Sequence, residues 1–197
     1  VQNHGEALRY ASKELRADRE IVLTAVKNDG WALIYSSKGL RADREIVLVS
    51  FQKCTEIPFF STSEELKADR EIVMAAVQAN GGALRHVSEE LRADREIVSA
   101  AVQTSGAALE FSSKELRADR EIVLAAVQND NYGWALGYAS KEFRADREIV
   151  MAAVQTSGRA LDYASKELRA DREIVMTAVQ GSGEALQLAS KEFRTDR

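Results

Sequence analysis

Residues 94–118 read DREIVSAAVQTSGAALEFSSKELRA, and most of the 197-residue chain consists of copies of this 25-residue stretch. Its opening Asp-Arg pair recurs from Asp18 to Asp196 at intervals of 25, 26, 25, 25, 27, 25 and 25 residues. A fixed period of this size is typical of stacked repeat proteins. Because such arrays present extended surfaces to their partners, the period indicates a binding or scaffolding role.

Each copy carries two helical patterns, one on either side of a glycine. Apolar residues within 97–102, and again within 108–116, recur at the spacing of one helix face. Asp94 stands where a helix N-cap belongs, since its carboxylate can accept hydrogen bonds from the free N–H groups of the first turn. The pattern therefore predicts a helix, a turn with Gly106 as a left-handed C-cap, and a second helix.

A single continuous helix is the alternative, because 25 residues amount to about seven turns. One extra residue within 51–56 and two within 129–133 argue against it, since each would rotate a continuous apolar stripe by about 100°. Surface turns accommodate such insertions readily. The sequence therefore predicts an all-α fold, a right-handed α-solenoid of about eight short helix-turn-helix repeats.

Residues 1–197 are expected to form a single repeat array that is a segment of a longer protein. Val1–Asn3 matches the end of a first helix, and Thr195–Arg197 matches the start of another. Both ends thus fall inside a repeat, and no polar capping repeat of the kind that closes a solenoid is visible.

Composition limits the classes of partner and compartment. The net charge of −4 is spread over the copies without a charge block, and no apolar run approaches the roughly 18 residues of a membrane span. Membrane insertion is therefore not expected, although a protein complex could hold the chain at a membrane. The single Cys54 excludes an internal disulfide and favours a reducing compartment, such as the cytoplasm or an organelle like the chloroplast.

A mostly aromatic row repeats along the array and allows two interpretations. Its members are Tyr10, Tyr35, Ser61, His86, Phe111, Tyr138, Tyr163 and Leu188. The functional interpretation is a stacking ladder for bases or a ring ligand. The structural one is packing between repeats, and it is favoured because leucine and phenylalanine substitute in the row.

Two polar rows are also regular. A serine row has no accompanying base for nucleophilic catalysis, so its members are interpreted as small residues at close helix contacts, bonded back to their own helix. They are Ser12, Ser37, Ser63, Ser88, Ser113, Ser140, Ser165 and Ser190. The charged block R-A-D-R-E is either an anion site or, as favoured here, a ladder of ion pairs between neighbouring repeats.

The copies differ most just after the glycine and three residues further on, so these positions are expected to face solvent or a partner. Six apolar residues at or beside them form the predicted partner-binding set, since exposed apolar clusters mark contact sites. They are Trp31, Ile34, Ile57, Phe59, Phe60 and Trp134. The alternative is a degenerate repeat whose aromatic residues fold back over the insertion near Pro58.

Recognisable catalytic and metal motifs are missing from the sequence. The two histidines, His4 and His86, and one cysteine give no zinc spacing. The stretch 129–133 hints at a calcium loop but lacks its glycine and terminal glutamate, which favours a turn with an insertion. We therefore expect no cofactor and no enzymatic activity. The slightly acidic balance argues against nucleic acid as a partner.

The complete unit D-R-E-I-V-x-x-A-V-x-x-x-G-x-A-L-x-x-A-S-x-E-L-R, seen in Asp146–Arg169, resembles the repeat family called domain of unknown function 4116. This resemblance covers essentially the whole chain and implies helical repeats, with no established activity and no catalytic residues. The expected function is therefore a protein–protein interaction scaffold or adaptor. Two alternatives stay open, a structural subunit of a large assembly such as a photosynthetic or respiratory membrane complex, and the targeting arm of a larger enzyme or effector.

Overall fold

The computed structural model describes residues 5–53, 58–190 and 193, and it divides into two compact units, Val1–Leu91 and Arg92–Arg197. Within those described residues all regular structure is helical, which confirms the prediction of an all-α repeat fold. Neither unit contains a described helix that is long and apolar enough to cross a membrane.

The first helix of each repeat forms as predicted. Seven such helices lie in the described part of the chain, at Arg19–Asn28, Arg44–Phe51, Arg70–Ala79, Arg95–Thr104, Arg120–Gln128, Arg147–Thr156 and Arg172–Gly181. The aspartate before each one is its N-cap. In the fourth helix the carboxylate of Asp94 accepts the N–H groups of Glu96 and Ile97 at 2.9 and 3.1 Å. These bonds satisfy two amides that the helix itself leaves free.

The predicted second helix is wrong as a continuous element, because the seven repeats that the structure describes across this stretch divide it into two short turns. The first turn lies at Gly5–Tyr10, Gly30–Tyr35, Pro58–Ser61, Gly81–His86, Gly106–Phe111, Ala135–Tyr138, Gly158–Tyr163 and Gly183–Leu188. The second lies at Leu15–Ala17, Leu40–Ala42, Glu64–Lys67, Leu91–Ala93, Leu116–Ala118, Phe143–Ala145 and Leu168–Ala170. Most of these turns are 3₁₀ helices. Near the two insertions, Pro58–Ser61 is a shorter 3₁₀ helix, and Glu64–Lys67 and Ala135–Tyr138 are single α-helical turns.

The serine row explains why the second helix breaks. Ser112 is extended, with φ −74° and ψ 164°, and the N–H of Leu116 then donates to Oγ of Ser113 at 3.3 Å. The N–H of Ser113 donates to the carbonyl of Arg92 in the preceding repeat at 3.0 Å. Ser113 therefore caps a new turn and bonds to the neighbouring repeat, which corrects the interpretation of a packing spacer bonded to its own helix for this residue. The hydroxyls of Ser88, Ser140 and Ser190 are buried without a hydrogen-bond partner among the described residues, so at these positions the small side chain packs without capping.

The prediction of a left-handed C-cap at Gly106 is also wrong. Gly133, at φ 79°, is the only residue with positive φ in the described part of the chain. Gly106 instead touches the next repeat: a Cβ added there would lie 2.7 Å from Cβ of Asp130 and nearer still to the carbonyl of Ala126. Its N–H donates to the carbonyl of Asn129 at 2.9 Å. At Gly106 a glycine is thus required for close contact with the next repeat.

The core is built from residues that the copies share. Ile97, Val98, Ala101 and Val102 are fully buried on the first helix, and Leu109 is fully buried on the turn that follows. The equivalent isoleucines are buried in the other described repeats except at Ile21, which is half-buried, so the predicted isoleucine row is confirmed at six of its seven positions. The predicted leucine row is less regular. Its member Leu15 is 44% exposed, so this row lies at the edge of the core.

Candidate protein-binding surface

Charged side chains form a ladder between neighbouring repeats within each unit. Arg95 pairs with Asp119 at 3.4 Å and with Glu121 at 2.5 Å. Equivalent pairs join Arg19, Arg44, Arg120 and Arg147 to the aspartate and glutamate one repeat further along. The ladder interpretation of the charged block is therefore confirmed for the arginine within D-R-E.

The helix cap and the ladder together favour the charged form of Asp119. The pKa of Asp119 lies below its ordinary value because the N–H of Ile122 donates to the carboxylate and Arg95 lies beside it. Exposed ion pairs of this kind stabilise a fold by only about 0–1 kcal/mol each. Since each arginine spans two carboxylates of the next repeat, the ladder fixes the register in which repeats stack.

The aromatic row packs partly into the structure. Its described members from Tyr35 to Leu188 are half-buried, whereas Tyr10 is 84% exposed and lies 5.9 Å from the guanidinium of Arg9. Burial, with the nearby carboxylate of Glu110, raises the pKa of Tyr138. These surroundings support the structural interpretation of packing between repeats over a free stacking ladder.

The first aromatic cluster consists of Trp31, Phe60 and His86, all in the first unit. The ring centroids of Trp31 and Phe60 are 6.4 Å apart, and those of Phe60 and His86 are 6.0 Å apart. Phe60 is 47% exposed, and Trp31 is half-buried. A hollow of about 380 Å³ lies against these rings, where Gly82 places no side chain at the variable position. The structure thus brings together two of the predicted partner-binding residues, and it adds His86.

Three other residues of the predicted set have different outcomes. Phe59 is fully buried and meets Phe51 edge to face at 5.9 Å, so it belongs to the core, and the prediction that it contacts a partner is wrong. Sequence spacing missed this because Phe59 and Phe60 are adjacent and project in different directions. Ile34 is half-buried in the same turn as Trp31. Ile57 lies outside the described residues.

The second aromatic cluster consists of Tyr132 and Trp134, in the second unit. Their rings stack, with centroids 4.9 Å apart and an interplanar angle of 18°. Tyr132 is 58% exposed and Trp134 is 47% exposed. A hollow of about 300 Å³ beside them is lined also by Arg159, Asp162 and Glu184. The predicted residue Trp134 is therefore exposed, and it stands beside an aromatic residue that the sequence reasoning had not selected.

Comparison with known families matches this repeated architecture. A family model described as Domain of unknown function (DUF4116) matches residues 1–41, 18–67, 43–92, 94–144, 119–169 and 171–197. The chain belongs to this family. No curated protein and no solved structure matches it.

The insertion at 129–133 gives one DUF4116 repeat a structured loop. Asp130 is only 3% exposed, and its carboxylate accepts the N–H of Tyr132 at 3.1 Å and that of Ala135 at 2.5 Å. Gly133, at φ 79°, lies so close to the next repeat that a Cβ would be 2.5 Å from the N atom of Ala160. The two-residue insertion was the sequence signal that could have drawn attention to Tyr132.

The same loop carries the weak calcium-loop pattern noted in the sequence. Both oxygens of Asp130 accept backbone N–H groups, so this carboxylate organises the turn. Across the described residues of the DUF4116 array, no group of three or more His, Cys, Asp or Glu side chains is arranged to hold a metal ion.

Proposed function

We propose that this DUF4116 array is a protein-binding scaffold or adaptor without catalytic activity, which engages partner proteins through its two aromatic clusters. One observation carries the proposal. Trp31 and Trp134 occupy the same repeat position, directly after the glycine or its equivalent, and each has a neighbouring aromatic ring and a surface hollow beside it. Partly exposed tryptophans beside hollows are frequent energetic centres of protein interfaces.

The division between shared and variable residues supports this proposal. The residues that the copies share fold the repeat or join it to the next one: the isoleucine of the first helix is buried in six of the seven described copies, the aspartate caps that helix, and the arginine of D-R-E belongs to the ion-pair ladder. The position after the glycine, in contrast, varies among Glu, Trp, Ile, Gly, Ala and Arg. A residue that folds the repeat cannot vary in this way. The side chains at the variable positions therefore give the surface of one copy a chemistry that its neighbours lack.

The two hollows are large enough to receive side chains of a partner protein. At about 300 and 380 Å³ they lie at the lower end of the range for small-molecule pockets, which is about 300–1,000 Å³. Both are lined by aromatic residues together with charged or polar ones. This combination is typical of the contact regions of protein interfaces.

The test is a native purification of the full-length protein from its source, followed by mass spectrometry and cross-linking. Wild type is compared with a Trp31→Ala, Phe60→Ala double variant, with Trp134→Ala, and with Tyr10→Ala. The last is the matched control, since it removes a ring that is 84% exposed and outside both clusters.

We expect at least one cluster variant to lower partner retention by about tenfold or more, the effect of an interface centre worth roughly 2 kcal/mol. Its far-UV circular dichroism should match that of wild type, and Tyr10→Ala should retain the partner. Equal retention by all variants would contradict the proposal. A stoichiometric set of companions that survives every variant would identify a structural subunit of a stable assembly instead.

A further inference from the structure

We propose that the second cluster binds a basic segment of a partner protein, with an arginine or lysine side chain against the exposed indole of Trp134. This inference rests on the proposed function, because it names the chemistry of the partner at one of the two clusters. It follows from the charges around the hollow and from the rigid loop that presents the rings.

The charges around the hollow favour a cation. Asp162 and Glu184 supply two carboxylates, against the single guanidinium of Arg159. Arg159 lies 3.5 Å from Glu184, so its charge is directed toward that residue, whereas Asp162 is exposed and has no ion pair among the described residues. An incoming cation would meet an unneutralised carboxylate, and an incoming anion would be repelled by it.

The aromatic rings add a second attraction for the same kind of group. A cation within about 6 Å of a tryptophan face is attracted by the ring quadrupole. Trp134 is 47% exposed although Tyr132 stacks on it at 4.9 Å, so a large part of the indole is open to a partner. No guanidinium or ammonium group of the described residues lies over the Trp134 ring.

The loop that presents the rings is fixed before any partner arrives. Asp130 is buried and holds the N–H groups of Tyr132 and Ala135, and Gly133 contacts the backbone of the next repeat. A preorganised loop loses little conformational entropy on binding. The hollow of about 300 Å³ is small, which suits one or two side chains of an extended segment.

The experiment exploits the fact that the chain contains two tryptophans. The full chain is labelled with 5-fluorotryptophan, and its two ¹⁹F resonances are assigned with Trp31→Phe and Trp134→Phe. Three peptides are then titrated at physiological ionic strength. In each peptide glycine alternates with one other residue: arginine in the first, its uncharged analogue citrulline in the second, and glutamate in the third. Adenosine monophosphate is a fourth probe.

We expect the arginine peptide to shift the Trp134 resonance in a saturable manner and to leave that of Trp31 in place. Asp162→Asn should weaken this binding by about three- to fivefold, the effect of one exposed ion pair. Glu142→Gln is the matched control, because it removes one negative charge from the same unit and Glu142 does not line the hollow. It should leave the affinity within about twofold of wild type.

Three results would overturn the inference. The citrulline or glutamate peptide could bind as tightly as the arginine peptide, adenosine monophosphate alone could shift Trp134, or no probe could shift it. If, in any of these cases, the Trp134→Ala variant no longer retains the native partner, the proposed function stands and only the inference of a basic partner segment is wrong. If that variant and the Trp31→Ala, Phe60→Ala pair both retain the partner, the proposed function fails as well.

Discussion

Replacing the repeat glycine with alanine tests whether close contact between repeats, and not backbone flexibility, requires it. Gly106 and Gly183 occupy the same position in their repeats, and neither has a positive φ. A Cβ at Gly106 would overlap the carbonyl of Ala126 and lie 2.7 Å from Cβ of Asp130. A Cβ at Gly183 would meet no atom within 4 Å. The two substitutions therefore differ in their surroundings and not in their chemistry.

The expected magnitudes have opposite signs. At Gly106 the overlap costs about 1–3 kcal/mol, as overpacked sites do. Movement of the turn would also weaken its N–H bond to the carbonyl of Asn129, now 2.9 Å, at roughly 1 kcal/mol. We expect Gly106→Ala to destabilise the fold by about 2–4 kcal/mol. Gly183→Ala should stabilise it by about 0.4–1 kcal/mol, because alanine restricts the unfolded chain without meeting a steric obstacle.

Urea unfolding of the whole chain, followed by far-UV circular dichroism, measures both variants. Gly158→Ala is a second obstructed site, since its Cβ would overlap the carbonyl of Ala178. It should behave like Gly106→Ala. Similar unfolding midpoints for Gly106→Ala and Gly183→Ala would refute the reasoning. Equal destabilisation of both would show that the glycine is required by the backbone conformation of the turn itself.

Two further predictions concern single residues. Phe59→Ala should destabilise the fold by about 3–5 kcal/mol in urea unfolding, because it empties a fully buried site. Phe60→Ala should cost about 1 kcal/mol or less, because Phe60 is 47% exposed. Comparable losses of stability in the two variants would contradict the assignment of Phe59 to the core and Phe60 to the surface. Asp119→Asn tests the ladder through pH, because the lowered pKa of Asp119, caused by the N–H of Ile122 and by Arg95, means that its charged form stabilises the fold. That stability is present above the ordinary pKa of about 4 and is lost as pH falls through the lower folded pKa. Wild type should therefore lose more stability than Asp119→Asn between about pH 5 and pH 2, and parallel pH curves would show that Asp119 does not contribute in this way.

Much of the candidate surface could be read from the sequence because the repeat serves as its own comparison. Trp31 and Trp134 share a position that no other copy fills with tryptophan, Phe60 lies at a second variable position, and the structure places all three at least partly at the surface. The separation of Phe59 from Phe60 could not be read in this way. Both flank an insertion that disturbs the helical spacing, and only the packing of Phe59 on Phe51 decides which ring is buried.

The sequence by itself determined the period, the helical class, the aspartate caps and the buried isoleucines, because these follow from local hydrogen bonding and from apolar spacing. Only the tertiary structure decided the roles of the glycine and the serine in each repeat. Gly106 is small because the carbonyl of Ala126 occupies the space that a side chain would need, and Ser113 caps the start of a turn while its N–H reaches the carbonyl of Arg92. Each of these contacts joins residues about twenty positions apart, so neither local propensity nor periodicity within one copy contains the information.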